Sequence, residues 1–101
     1  MDKNDFQPDT RYTITWGDRQ GGSRPATIYV YRAHSEFLVA RLVGGDGLLR
    51  KITYAEVLKI VAAEPVAPGD RSFVPNAMLD EKTWRDRSVM QHAAGSPQRG
   101  K

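Results

Sequence analysis

The spacing of apolar positions along the chain predicts a series of β-strands. Near the N-terminus, Tyr12, Ile14 and Trp16 alternate with polar residues, a period of two that turns one set of side chains inward and the other toward solvent. Residues 26–32 and 36–43 are two further β-type runs, separated by a very short connection. Because so short a connection is typical of a hairpin, these two runs are expected to pair in antiparallel fashion.

The second predicted strand leaves a choice that bears on function. One of its faces is aliphatic, whereas the other carries Tyr29 and Tyr31. The strand is therefore either covered on both sides or displays a pair of tyrosines. The third strand, residues 36–43, is apolar on both faces, which is typical of a central strand.

A Gly-rich stretch, residues 44–47, predicts a tight turn with positive φ angles, after which residues 48–53 return as a fourth strand. Residues 54–56 then predict a single helical turn that leads into a short fifth strand. A competing interpretation makes residues 54–63 a true helix, because several of them are good helix formers. The β-branched residues and the nearby Pro65 favour the turn and strand.

The order of these elements resembles that of the SH3-like and Sm-like small barrels. The shared features are a first strand followed by a long Gly-rich loop, a three-strand meander, a one-turn helix and a terminal strand. The resemblance covers about residues 11–61 and implies a mainly β fold, a small five-stranded antiparallel barrel. Because such folds host many unrelated activities, it implies an architecture and not a function.

We predict one barrel domain, residues 11–63, with the remaining segments before and after it in the chain. Residues 1–10 lack apolar periodicity apart from Phe6 and are expected to form a flexible leader. Residues 64–75 contain two prolines and a glycine, a composition typical of a linker. Residues 76–101 are predicted to hold a short C-terminal helix, from 77 to about 87, followed by a disordered tail.

Composition excludes several classes of function. The chain has 101 residues, of which 40% are apolar, and this is enough for one domain with a modest core. It has no cysteine, so disulfides, thiolate metal sites and cysteine nucleophiles are excluded. No apolar run approaches the roughly 18 residues of a membrane-spanning helix, and the first ten residues do not resemble a signal peptide. We therefore expect a soluble cytoplasmic protein that does not contact the membrane.

No residue pattern indicates catalysis, a cofactor or a metal. His34 and His92 lie far apart in the sequence, and neither has a carboxylate beside it at a metal-ligand spacing. His34 is therefore expected to be a turn residue. The Gly-rich residues 44–47 lack the Lys-Ser/Thr ending and the following helix of a nucleotide-binding loop. We expect a protein that is not an enzyme.

Charge and aromatic residues point instead to binding. Residues 1–10, 11–61 and 62–101 carry net charges of −2, +4 and +1, so the excess lies on the predicted barrel. Basic and aromatic side chains are mixed on its adjacent strands. They are Tyr29, Tyr31, Arg32, Arg41, Arg50 and Lys51. On a shared exposed face, these residues would suit single-stranded RNA or DNA, since bases stack on aromatic rings and arginine contacts phosphate.

A second interpretation buries the tyrosines in a small core beneath the C-terminal segment, where Phe73, Met78 and Trp84 need somewhere to pack. Trp84, with basic neighbours, is also a candidate anchor at a protein interface. Arg19 and Arg24, at the two ends of the flexible loop, are candidate recognition residues. Exposed edge strands would accept a partner strand or a second copy of the chain. The sequence thus predicts a non-catalytic binding or regulatory module for a protein partner, with nucleic acid as the alternative.

Overall fold

The computed structural model describes residues 1–17, 21–45, 47–71 and 73–90. Their main element is one antiparallel sheet in the spatial order β5-β1-β2-β3-β4-β6. In chain order the strands are β1 (Thr10–Gly17), β2 (Ser23–Ala33), β3 (Phe37–Leu42), β4 (Leu49–Thr53), β5 (Val57–Pro65) and β6 (Val89–Met90). Helical structure in these ranges is confined to short 3-10 turns, the longest being Glu81–Trp84 with 4 residues. The protein is mainly β, as predicted.

The predicted five-stranded barrel is wrong in strand number and in closure. The described residues form a 6-stranded sheet, and its two outermost strands, β5 and β6, do not pair with each other. Strand β6 occupies the outer edge of β4, where Met90 pairs with Leu49 and Val89 pairs with Arg50. Strand β4 therefore has β6 and not β5 at its outer edge, and the sheet stays open.

Most elements predicted from the apolar pattern are confirmed. The connection between β2 and β3 is a hairpin, closed by the His34 backbone N–H, which donates to the Phe37 carbonyl at 2.8 Å. Gly44 and Gly47 both have φ +77°, as a tight turn after β3 requires. A single 3-10 turn, Tyr54–Glu56, leads into β5, so the competing long helix is excluded.

The concave side of the sheet buries one apolar cluster, which we call the inner cluster. Its members come from β1 to β5, the 3-10 turn before β5 and the N-terminal segment. They are Phe6, Tyr12, Ile14, Ile28, Val30, Leu38, Ala40, Ile52, Tyr54 and Val57. The alternation predicted for β1 explains why Tyr12 and Ile14 share this side while Arg11 and Thr13 do not.

The N-terminal residues, expected to be a flexible leader, contribute directly to the inner cluster. The Phe6 ring is buried, with its centroid 4.9 Å from that of Tyr12 and 5.9 Å from that of Tyr54. Asp9 then links the segment to the sheet, since its N–H donates to the Val30 carbonyl at 2.7 Å and its carbonyl accepts from the Val66 N–H at 3.0 Å. A single apolar residue in a polar stretch is thus enough to dock the segment on the open side of the sheet.

The opposite side of the sheet buries a second cluster, which we call the outer cluster. Residues 66–90, which we call the C-terminal cover, supply about half of it. The members are Tyr29, Tyr31, Phe37, Val39 and Leu49 from the sheet, and Val66, Val74, Leu79 and Trp84 from the cover. The doubly apolar strands β2 and β3 are therefore covered on both faces, and the chain itself provides the second layer.

The predicted helix over residues 77–87 is wrong. The cover contains two separate 3-10 turns instead, Asn76–Met78 and Glu81–Trp84. Asp80 separates them, because its backbone is extended and its side chain caps the second turn by accepting from the Lys82 N–H at 2.9 Å. The predicted linker also differs, since β5 runs to Pro65 and Val66 and Val74 are buried. The predicted tail beyond residue 90 lies outside the described residues.

Strand β5 is bulged at two positions where it pairs with β1. The register passes from Ala62 to Ile60 and then from Lys59 to Val57, so Val61 and Leu58 are each skipped. A bulge adds one residue and reverses the alternation of side chains that follows it. This explains why Val57 and Ile60, three positions apart, both pack against the inner cluster. The same bulges leave Leu58 and Val61 exposed, by 55% and 59%.

Candidate functional site

The predicted basic-aromatic face lies beneath the C-terminal cover. Tyr29 and Tyr31 are only 3% and 6% exposed, and their ring centroids are 4.9 Å apart. The Tyr29 hydroxyl donates to the Asp9 carboxylate at 2.6 Å. The two rings are thus packed inside the protein, as in the second interpretation of the sequence, although Phe73, which was expected to pack there too, is 77% exposed. They offer no exposed stacking surface in this conformation.

Three of the predicted basic residues contact the cover or the ring beneath it. The Lys51 ammonium donates to the Trp84 carbonyl at 2.8 Å and lies 5.2 Å from the Phe37 ring centroid. The Arg32 guanidinium donates to the Asn76 side-chain oxygen at 3.3 Å. The Arg41 guanidinium lies 5.8 Å from the Tyr31 ring centroid. The surface that these residues were expected to offer to a partner is therefore engaged within the chain.

Trp84, the predicted anchor, is fully buried at 0% exposure. Its indole N–H donates to the Met78 carbonyl at 2.7 Å, which joins the two 3-10 turns of the cover. The basic neighbours of Trp84 in the sequence therefore flank a core residue and not an exposed interface anchor. A partner could reach Trp84, Tyr29 or Tyr31 only after the cover leaves the sheet.

A separate open groove lies at the end of the sheet where β1, β4 and β5 converge, and we call it the mouth groove. Its volume is about 690 Å³. Five segments line it: the end of β1 with the last two residues of the loop before β2, then β4, the 3-10 turn before β5, the start of β5, and the last residues of the cover. The lining residues are Trp16, Gly17, Gly21, Gly22, Arg50, Lys51, Thr53, Ala55, Glu56, Leu58, Ser88 and Val89.

The floor of the mouth groove is apolar. Trp16 is half-buried at the end of β1, and Leu58 lies beside it at the first bulge of β5. Gly17 makes this arrangement possible, since a Cβ at that position would lie 3.2 Å from the Leu58 Cδ1 atom. Arg24, directly opposite Trp16 in the β1–β2 register, holds its guanidinium 5.2 Å from the Trp16 ring centroid.

The charged groups of the mouth groove differ in whether they also hydrogen-bond to other groups of the chain. Glu56 accepts from the Thr53 backbone N–H and from the Thr53 hydroxyl, both at 2.9 Å, and so caps the 3-10 turn. Lys51 lines the groove while its ammonium holds the cover. Arg24 is exposed at the start of β2. Among the described residues, these two cationic groups outnumber the Glu56 carboxylate, so they favour a negatively charged ligand at the groove.

The structure brings together three of the sequence-predicted residues, Arg24, Arg50 and Lys51, around this groove. Arg32 and Arg41 lie away from it, and Arg19 lies outside the described residues. Sequence reasoning missed Trp16 and Leu58 as site residues. The alternation of β1 places Trp16 on the buried face, and Trp16 does pack against the inner cluster while it also lines the groove. No sequence signal marks Leu58, because its exposure follows from a bulge.

Two other side chains that could take part in chemistry, those of His34 and Tyr54, make structural hydrogen bonds within the chain. The His34 Nε2 donates to the Leu79 carbonyl at 2.7 Å, which fixes the cover to the β2–β3 hairpin. The Tyr54 hydroxyl donates to the His34 and Phe37 carbonyls, and burial, with a smaller contribution from Asp2, raises the pKa of Tyr54 to about 12. Across the described ranges, no cluster of three or more His, Asp or Glu side chains is placed to hold a metal ion. Nor does any helix there have the length and apolarity needed to cross a membrane.

No protein-family model matches the chain, and no curated protein and no solved structure matches it significantly.

Proposed function

We propose that the protein is a non-catalytic interaction module that holds an extended segment of a partner protein in the mouth groove and along β5. The observation that carries this proposal is the exposure of Leu58 and Val61 at the two bulges of an edge strand, with Trp16 beside Leu58. Large aliphatic side chains exposed next to an aromatic ring are what a binding surface needs for anchoring contacts.

The bulges also indicate the form of the contact. An edge strand can pair with a partner strand, but bulges interrupt the regular row of backbone donors and acceptors that such pairing uses. We therefore expect side-chain contacts with Leu58, Val61 and Trp16 to contribute more than a continuous backbone ladder.

Single-stranded nucleic acid is the second candidate, and the cation–π contact of Arg24 with Trp16 is what favours it. Two features weigh toward protein. The tyrosines that would have stacked bases are buried, which leaves Trp16 as the one aromatic ring of the groove lining. The floor also continues into aliphatic Leu58 and Val89, which suit an apolar side chain better than a base.

A selection from a random peptide library displayed on phage tests the proposal without assuming a partner. The full chain serves as bait, and enriched peptides are then compared on two variants. Leu58→Gln removes the groove floor, whereas Val43→Gln removes an exposed aliphatic side chain in the turn after β3 and serves as the matched control. Both variants are first checked for native circular dichroism.

We expect peptides that bind the wild-type chain and the Val43→Gln variant equally but bind Leu58→Gln at least about tenfold more weakly. Enriched peptides that bind Leu58→Gln as well as the wild type would reject the groove as the binding site. A selection that yields no enrichment over an unrelated bait would reject the proposed function.

A further inference from the structure

We infer that the partner segment is acidic and carries an aliphatic or aromatic anchor residue, with Arg24 as the main determinant of charge preference. This inference rests on the proposed function and adds the chemistry of the partner. It follows from the charges around the mouth groove, from which of them are engaged within the chain, and from the shape of the floor.

The described part of the groove has more cationic than anionic side chains around it. Arg50 and Lys51 line it, and Arg24 lies over its tryptophan, whereas Glu56 is the one carboxylate among the lining residues that the structure describes. That carboxylate already accepts two hydrogen bonds from Thr53, both at 2.9 Å, so it is a poor acceptor for a basic partner. An acidic segment would complement this field, and a basic one would be repelled.

The three cations are not equivalent. Lys51 contributes charge, but its ammonium donates to the Trp84 carbonyl at 2.8 Å and holds the cover in place. Arg24 is exposed, and its guanidinium carbon lies over the Trp16 ring, 5.2 Å from the centroid. A guanidinium held over an aromatic ring can still donate to a carboxylate in a bidentate pair. Arg24 is therefore the group best placed to select a partner carboxylate.

The shape of the floor requires an anchor as well as charge. Glycines at positions 17, 21 and 22 line one wall, so no side chains from these positions fill the space above Trp16 and Leu58. A partner that supplied only negative charge would leave this apolar floor in water. A segment with one aliphatic or aromatic residue between acidic residues would bury it.

The test uses three synthetic peptides that share a central Leu-Ile pair flanked by acidic, neutral or basic residues, together with an oligo(dT) strand. Binding to the full chain is measured by fluorescence polarisation at low and at physiological salt. Arg24→Glu is compared with Lys82→Glu, which makes the same charge change at an exposed position outside the groove lining. An acidic peptide with Ser in place of the Leu-Ile pair measures the contribution of the anchor.

We expect the acidic Leu-Ile peptide to bind at least about tenfold tighter than the neutral one, and the basic peptide to bind most weakly. Arg24→Glu should reverse the preference between acidic and basic peptides, whereas Lys82→Glu should preserve it. The Ser peptide should bind at least about tenfold more weakly than its Leu-Ile counterpart.

Equal binding of acidic and neutral peptides, or equal effects of the two charge variants, would overturn the inference. So would oligo(dT) binding tighter than that of the acidic peptide, with the steep salt dependence of phosphate contacts. If library peptides depend on Leu58 but show no acidic preference, the proposed function stands and this inference fails. If the library yields no Leu58-dependent peptide, the proposed function fails first.

Discussion

The two sides of the sheet are buried by different means. The inner cluster is enclosed by strands β1 to β5, which hold one another through backbone ladders, and Phe6 packs into its open side. The outer cluster is enclosed by the C-terminal cover, which consists of short 3-10 turns, irregular backbone and the short strand β6. The strands themselves therefore bury the inner cluster. The burial of the outer cluster depends on the C-terminal cover, a segment that has little regular structure of its own.

This difference predicts unequal local stability. The cover is attached by apolar contacts and by hydrogen bonds such as those from Lys51 to the Trp84 carbonyl and from His34 to the Leu79 carbonyl. Segments with few backbone ladders open at lower free energy than the strands of a sheet. We therefore expect the cover to open while the inner cluster remains intact. Four predictions, in order of decreasing effect, can break or sharpen this comparison.

Leu38→Ala should have the largest effect, because Leu38 is fully buried in the inner cluster. Removing its side chain leaves a cavity among the strands, and we expect the free energy of unfolding to fall by about 2–5 kcal/mol. That is a large share of the roughly 5–15 kcal/mol that holds such a domain together. Urea denaturation followed by circular dichroism measures it. A loss below about 1 kcal/mol would show that the inner cluster does not dominate stability.

Trp84→Ala should act mainly on the cover. It empties the centre of the outer cluster and removes the donor to the Met78 carbonyl. If the cover opens independently, the global loss is limited to the free energy with which the cover docks, and we expect it to be smaller than for Leu38→Ala.

Hydrogen exchange read by mass spectrometry distinguishes the two clusters in this variant. We expect backbone amides of residues 73–90 to lose protection while those of β1 to β3 keep most of theirs. Trp84→Phe, which keeps much of the ring volume, should fall in between. Equal loss of protection in β1 to β3 and in the cover would mean that both clusters unfold as one unit.

The inner cluster should also confer a dependence on alkaline pH. The pKa of Tyr54 is raised to about 12, above its ordinary value of 10.0, so the folded state retains the phenolic proton longer than the unfolded state does. The contribution to stability is present below about pH 10 and is lost as the pH rises toward 12, by about 2 kcal/mol. Tyr54→Phe should remove this slope in denaturation experiments between pH 9 and 12. Identical slopes in both proteins would contradict it.

Lys51→Met should have the smallest effect and should again be confined to the cover. It removes the charged hydrogen bond to the Trp84 carbonyl and the contact with the Phe37 ring, which we expect to cost about 1 kcal/mol. Lys82→Met, at an exposed lysine of the cover, is the matched control and should change stability by less than about 0.5 kcal/mol. If the two variants are equal in thermal denaturation and hydrogen exchange, Lys51 does not fasten the cover.

Strand β5 shows why part of the candidate site could not be predicted. A helix competed with a strand for this segment because several of its residues are good helix formers. The structure instead forms a strand with two bulges, at Leu58 and Val61. A bulge forms where two strands pair with unequal numbers of residues, and this depends on β1 as much as on β5. The exposure of Leu58 was therefore not readable from local sequence.

The basic residues illustrate the same limit. Arg24, Arg50 and Lys51 were identified from their charge, and the structure places them around one groove. Arg32 and Lys51, however, also hold the cover, because residues far along the chain return to lie on the same face. Charge and strand assignment left open whether the strand residues share an exposed face, and they could not distinguish a partner from the chain's own C-terminal segment.

The sequence by itself determined the local elements: the alternation of β1, the hairpin between β2 and β3, the glycine turn and the single turn before β5. These follow from side-chain periodicity and from backbone preferences that act over a few residues. Only the tertiary structure decided that Phe6 and Trp84 are core residues, that β6 lies at the edge of an open sheet and that Leu58 is exposed. Those outcomes depend on contacts between residues distant in sequence, where burial of apolar surface outweighs local preference.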